Sequence, residues 1–179
     1  MVEKWLLQVE GAMKENVSLQ CYKGHADYTK QPRLDWLLCW PGQVVLGVDQ
    51  IFWTLEVEEA LDNRGLQGLM EYEKKCTEQL DGCVKLVQTP LNKMQRTTLG
   101  AMVTLDVHGR DVLTQMVAAG VDSTNEFDWI SQLRYYYDPS ASQEVGVRMI
   151  TAELAYGFEY LGNSDRLVVT PLTDRCYRT

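Results

Sequence analysis

The sequence predicts a mainly α fold, a multi-helix bundle of long helices with a small antiparallel β-sheet near the C-terminus. Three observations carry this. Up to about residue 120, apolar residues recur at spacings of three and four, the period of a helix with one buried stripe. After Glu144 the period drops to two, as in half-buried strands: Val145, Val147 and Met149, then Ala152, Leu154, Tyr156, Phe158 and Tyr160. Breaking residues separate the periodic stretches, at Gln31-Pro32, Asp62-Asn63-Arg64-Gly65, Thr89-Pro90, Gly120 and Asp138-Pro139-Ser140-Ala141-Ser142.

The first helix is expected from residue 2 to about 20, with Leu6, Val9, Met13 and Val17 on one stripe. Gln20–Lys30 is polar, and Gly24 weakens any helix there. Asp35 caps a short turn at Trp36–Trp40, and Pro41 suits the first position of the next helix, where its missing N–H costs nothing. In that helix Val44, Val48, Ile51 and Leu55 form a stripe that Val45 and Phe52 widen, which calls for deep packing. Asp62–Gly65 stops it. A third helix over residues 66–89 places Leu69, Tyr72, Cys76, Leu80, Cys83 and Val87 on one face. Leu91–Ala119 runs as one helix of roughly 45 Å, lined by Met94, Thr98, Ala101, Leu105, His108, Val112 and Met116 and stopped by Gly120. Phe127, Ile130, Leu133 and Tyr137 make a short amphipathic helix, with bulk from Trp129 and Tyr135-Tyr136-Tyr137. The linker composition of 138–142 puts a boundary there, dividing residues 1–138 from a connection at 139–143 and a tail at 144–179. In the tail, Gly162-Asn163 turns the chain, Leu167–Thr170 is a short apolar run, and Thr173 and Asp174 are N-cap types for a helix that begins as the sequence stops.

Composition narrows the function classes. The 179 residues bury a sizeable core without staples. Lys and Arg number 17 against 25 Asp and Glu, a formal charge of −8, a poor match for nucleic acid or an anionic membrane surface and equally for direct contact with acidic microtubules. Five cysteines, odd in number and without a CxxC pair, point to a reducing compartment and free thiols. No run is long enough for a transmembrane helix, and the N-terminus has no signal-peptide pattern.

Three stretches carry a family resemblance: YGFEYLGNSDRLVVTPLTDRCYRT at the end, WPGQVV with the following QIFWTLEVEEAL, and LGAMVTLDVHGRDVL, joined by FDWISQLRYYYD. Together they resemble dynein heavy chains of the axonemal type, over the C-terminal part of the motor linker running into the start of the first AAA+ module. The similarity covers the whole chain and is weakest at residues 14–34. It implies that residues 1–138 are a helical lever segment, and that 144–179 hold a β-hairpin and the beginning of that module. It implies a mechanical role, coupling ATP-driven changes of the ring to tail movement along microtubules in a cilium or flagellum. Its partner would be the AAA+ ring of the same heavy chain, with microtubules, intermediate chains and light chains reached only through the whole complex. ATP or ADP with Mg would be the cofactor of the intact motor, none belonging to this stretch alone. Carried over residue by residue, Val169, Thr170, Pro171, Leu172 and Thr173 fall on the segment that walls the adenine pocket, though the same residues read equally as an ordinary strand-to-helix turn. The resemblance makes Trp36, Trp40, Pro41 and Trp53 structural. Many axonemal relatives have the look of Ala where this chain has Gly109, and glycine inside a helix costs about 1 kcal/mol against alanine.

The residues admit other chemistry. Trp36, Trp40 and Trp53 are read first as aromatic core anchors and otherwise as a ligand cage. Asp106, His108, Arg110 and Asp111 are the nearest approach to a catalytic cluster, with Asp106 and Arg110 spaced for an i,i+4 ion pair and His108 on the apolar stripe, but they are read first, with Tyr160, as structural, His108 as a satisfied core or interface histidine. His108, Asp106 and Cys76 or Cys83 would be the basis of a stand-alone enzyme, but no nucleophile lies in register with the histidine. Two cysteines with no further ligand make a poor zinc site. Without a G-x-x-x-x-G-K-[ST] loop an ATPase is incomplete in this chain, and the isolated chain is expected not to bind ATP measurably. The alternative to a lever is a helical protein-binding scaffold with no motor role.

Overall fold

The computed structural model describes residues 2–138 and 144–178. In order come α1 (Val2–Tyr28), α2 (Arg33–Cys39), α3 (Gly42–Val87), α4 (Lys93–Ala119), α5 (Phe127–Ile130), β1 (Arg134–Tyr137), β2 (Val145–Met149), β3 (Ala152–Ala155) and α6 (Pro171–Arg178). The fold is mainly α with one small antiparallel sheet in the order β1-β2-β3. Among the described residues, no helix is long and apolar enough to cross a membrane.

α1 continues past its expected end near residue 20. The indole Nε1 of Trp36 donates to the Gly24 carbonyl at 3.0 Å, and Cys21 is buried, so tertiary contacts hold the weak stretch. The first part of α1 leaves Trp5, Leu6 and Leu7 exposed. α2 starts at Arg33 with Pro32 as its N-cap, so Asp35 lies inside the first turn and caps nothing. Pro41 likewise stands one position earlier than expected, as the N-cap of α3 rather than its first helical residue.

α3 breaks at Gly65, with φ +53° and ψ −139°, a conformation essentially reserved for glycine. The stop expected at Asp62–Gly65 is therefore there. The chain folds back on itself: Lys75 Nζ lies 2.7 Å from Glu56 Oε2, and Gly68 comes so close to the Ala60 carbonyl that a Cβ would sit 2.2 Å from its oxygen. The two arms pack with α4 along their length. Near α2 the core holds Trp36, Leu37, Val45, Val48, Leu99 and Met102; beyond Trp53 it holds Val57, Leu61, Leu69, Leu113, Met116 and Trp129.

Two stripes sit differently from the periodicity. Leu55 is 45% exposed, and Val57 and Leu61 take its place in the core. On α4 the buried face centres on Leu99, Met102 and Leu113, while Met94 is 66% exposed. α4 starts at Lys93, two residues after the expected Leu91: Asn92 caps it, accepting from the Gln95 N–H at 2.8 Å while Gln95 Oε1 accepts from the Asn92 N–H. It stops at Gly120 as expected.

The helix expected over Phe127–Tyr137 ends at Ile130, and Arg134–Tyr137 is strand β1. Aromatic residues favour the pleated surface, and α3 supplies partners that a helix would miss. The Tyr135 N–H donates to Thr54 Oγ1 at 3.0 Å, and Tyr136 Oη donates to Glu58 Oε1 at 2.6 Å. β1 pairs with β2, Tyr135 opposite Val147, so the sheet takes strands from both sides of the connection at 139–143, which lies outside the described residues. β2 and β3 fall in the period-two region, but all four residues of β3 are exposed, Leu154 at 71%, so the expected half-burial is not made there; after the Tyr156 N–H donates to the Val145 carbonyl at 2.8 Å, Phe158 and Tyr160 run on as irregular chain. α6 is capped one turn earlier than expected. Thr170 is its N-cap, exchanging hydrogen bonds with Thr173 (Thr170 N–H to Thr173 Oγ1, 2.8 Å), with Pro171 at the first helical position.

Candidate functional site

The charged run around residue 106 resolves into two different environments. Pro32 fixes the start of α2, and Arg33, its first residue, turns inward. Its Nε donates to Asp49 Oδ1 at 2.8 Å, and its Nη2 and Nη1 reach Asp106 Oδ1 and Oδ2 at 2.7 and 3.3 Å. All three side chains are about nine-tenths buried. Cys83 Sγ lies 3.5 Å from Nη1, so one guanidinium touches α2, both arms of α3 and α4. Burial alone would lower the Arg33 pKa; Asp49 and Asp106 outweigh that and hold it well above the usual value. Burial, then the charge of Asp49, push Asp106 up to about 6, and Arg33 offsets this only in part.

The expected Asp106–Arg110 pair is not made. Asp106 has the better partner in Arg33, whose fork matches a carboxylate. Arg110 binds its neighbour Asp111 instead, Nη2 to Oδ1 2.6 Å, near the surface. Arg33 and Asp49 are the residues that sequence reasoning missed. The available signal was Asp49 itself, a carboxylate in a helix otherwise apolar round most of its circumference, which demands a buried cation.

His108 belongs elsewhere. It lines a groove of about 440 Å³ with Trp53, Leu105, Gly109, Arg166, Val169 and Tyr177, whereas Asp106 and Cys76 line a separate pocket of about 20 Å³. The structure thus does not bring His108 together with Asp106 and a cysteine. Burial pushes the Cys76 and Cys83 thiols up to about 12. Among the described residues no three His, Cys, Asp or Glu side chains are grouped to hold a metal ion.

The tryptophans differ in their surroundings. Trp36 is fully buried, and Trp40 Nε1 donates to Asp27 Oδ2 at 3.1 Å. Trp53 stacks obliquely on Trp129, centroids 5.4 Å apart, and Gly109 closes over it: a Cβ there would lie 2.9 Å from the indole nitrogen. Where the helix needs stiffness, this glycine admits a ring. Pro41 and Tyr160 are exposed, and both border a cavity of about 300 Å³ with Met13 and Val17. Of the segment Val169–Thr173, Val169 faces the 440 Å³ groove, Thr170 and Thr173 cap α6, and Leu172 is 74% exposed.

The helical body passes through a small sheet into a capped helix. Residues 156–179 match the family model described as the hydrolytic ATP binding site of the dynein motor region. Over 178 residues the chain is 48% identical to dynein axonemal heavy chain 12 of Homo sapiens, covering 99% of this chain and 6% of that protein. It is 50% identical over 179 residues to dynein axonemal heavy chain 3 of Mus musculus, covering all of this chain and 4% of that one. With dynein axonemal heavy chain 1 of Homo sapiens the figures are 45%, 99% and 4%. Identity of 43–50% along the whole chain places it with the axonemal dynein heavy chains, of whose length it spans about one-twentieth.

Proposed function

We propose that this chain is the ring-proximal part of a dynein linker, a lever that carries ATP-driven changes of the AAA+ ring to the tail and so to movement along microtubules. The observation that carries it is continuity: the helical body shares its sheet with the chain that becomes residues 156–179, the stretch matching the ATP-site model. Residues 1–138 form the lever, 139–143 the connection, and 144–179 the hairpin and the start of the first AAA+ module, with β1 making the sheet straddle the junction. A lever must not yield, and close packing along both arms of α3 and α4 supplies that stiffness.

The partner on this reading is the ring of the same heavy chain, and the axoneme of a cilium or flagellum is the location. Microtubules, intermediate chains and light chains engage the complex. ATP with Mg supplies the phosphoryl-transfer energy in the intact motor. Val169 and Leu172 offer apolar surface to an adenine ring, and Thr170–Thr173 hold the turn beside it. The phosphate-binding residues are not in this sequence, so hydrolysis belongs to the larger protein.

The test is Gly100→Pro in the intact heavy chain. Gly100 is an exposed position in α4, where proline breaks the helix. Gliding velocity is expected to fall while ATP turnover persists; unchanged velocity and turnover remove the lever. A second reading, a scaffold that binds another protein, draws on the exposed Trp5, Leu6 and Leu7 of α1. A stable partner held by the helical body, with motility indifferent to Gly100→Pro, would favour it.

A further inference from the structure

Side-chain amides fasten the irregular chain after β3. Gln43, in the first turn of α3 and only 7% exposed, donates from Nε2 to the Glu159 carbonyl at 2.7 Å and to Tyr156 Oη at 3.1 Å. Its Oε1 accepts from the Leu161 N–H at 2.9 Å. The amide thus bonds the backbone on both sides of Tyr160, as a neighbouring strand would, where no strand lies alongside among the described residues. Three positions on, Asn163 Nδ2 donates to the Met94 carbonyl at 3.2 Å and to Thr98 Oγ1 at 3.0 Å on α4. Gly42 makes room for it: a Cβ there would lie 2.7 Å from Asn163 Oδ1. Between the Tyr156 and Glu159 contacts of Gln43, Phe158 is held at φ +50°, a left-handed conformation costly for a bulky residue and kept only where its surroundings enforce it.

We infer that Gln43 and Asn163 form an amide latch, with Gln43 as a positioning residue. The latch fastens the same ends of α3 and α4 to residues 156–163, the first part of the stretch matching the ATP-site model, and so sets where the following segment Val169–Thr173 stands relative to the helices. Amide hydrogen bonds suit this task, because they give direction and register that apolar contact does not. The inference rests on the lever reading above and adds the joint through which the lever is driven.

The experiment compares Gln43→Ala, Gly42→Ala and Thr98→Val with the parent in the intact heavy chain. Three quantities are measured: amide hydrogen exchange over 156–163, ATP turnover and gliding velocity. Gln43→Ala is expected to speed exchange at Leu161 about tenfold, as a lost buried hydrogen bond implies. It is also expected to lower the velocity per ATP turned over. Gly42→Ala raises helix propensity yet displaces Asn163, so a latch predicts looser exchange and lower coupling, whereas a purely structural role for α3 predicts the reverse. Thr98→Val, nearly the same shape, keeps the experiment decisive should Gln43→Ala not fold. Unchanged exchange at 156–163, or faster exchange with the velocity-to-turnover ratio of the parent, overturns the latch. If Gly100→Pro slows gliding and the latch variants do not, only the latch falls; if Gly100→Pro also leaves gliding unaltered, the lever reading has failed first.

Discussion

Replacing Arg33 with methionine probes the brace directly. The substitution keeps much of the side chain's bulk and removes a cation that makes contacts of 2.7 and 2.8 Å with two carboxylates. Asp49 and Asp106 are then left facing each other at 7% and 10% exposure. Breaking a buried pair by deleting one partner costs about 3–5 kcal/mol, against a whole-domain stability of about 5–15 kcal/mol. Two carboxylates lose the same counter-charge here, so the upper part of that range applies near neutral pH. The pH dependence gives a second handle. Asp106 already titrates at about 6, above the ordinary carboxylate range near 4. A carboxyl raised in the folded state binds more protons folded than unfolded across that window, so its contribution to stability falls as pH rises from about 4 to about 6. Without Arg33 the two acids share one site and cannot both ionise cheaply, which moves the window upward. Urea unfolding at pH 5 and pH 8 should therefore show the larger loss at pH 8. Adding Asp106→Asn, which removes one of the charges, should recover part of it. A loss under about 1 kcal/mol at neutral pH, or one of equal size at both pH values, would refute the brace.

Two further outcomes test the fold. Gly65→Ala forces a side chain into a backbone conformation that only glycine adopts readily, and should cost about 1–3 kcal/mol in urea unfolding with helix content otherwise retained; a neutral result would mean that the two arms of α3 do not turn there. Burial raises Cys21 to about 11 and Cys76 and Cys83 to about 12, while Cys39 is exposed. A thiolate-selective reagent near neutral pH should modify Cys39 in the folded chain and the buried Cys21, Cys76 and Cys83 only after unfolding, read by mass spectrometry; early modification of Cys83 would contradict the packing around Arg33.

The legible features are those whose signals act within a few residues. Gly65 and Gly120 end helices because their backbone freedom is local, and the alternation after Val145 marks where β2 and β3 run, although β3 is exposed throughout and buries neither face. The D-V-H-x-R-D and WPGQVV runs carried the family likeness in the same short-range way. What remained hidden depends on distant neighbours. Asp106 looked like the partner of Arg110 four residues on, yet it meets Arg33, 73 positions away, because a buried fork outcompetes a solvated one. Tyr137 fits the stripe of a helix over Phe127–Tyr137, yet Arg134–Tyr137 is a strand because Thr54, Glu58 and β2 offer its backbone and hydroxyls partners. Gln43 gave no sign of its grip on residues 159 and 161, since nothing in a lone polar residue on an apolar helix says which stretch of backbone will fold over it. Caps, breaks and periods are written in adjacent residues; pairings between remote polar groups exist only once the core has brought their helices together.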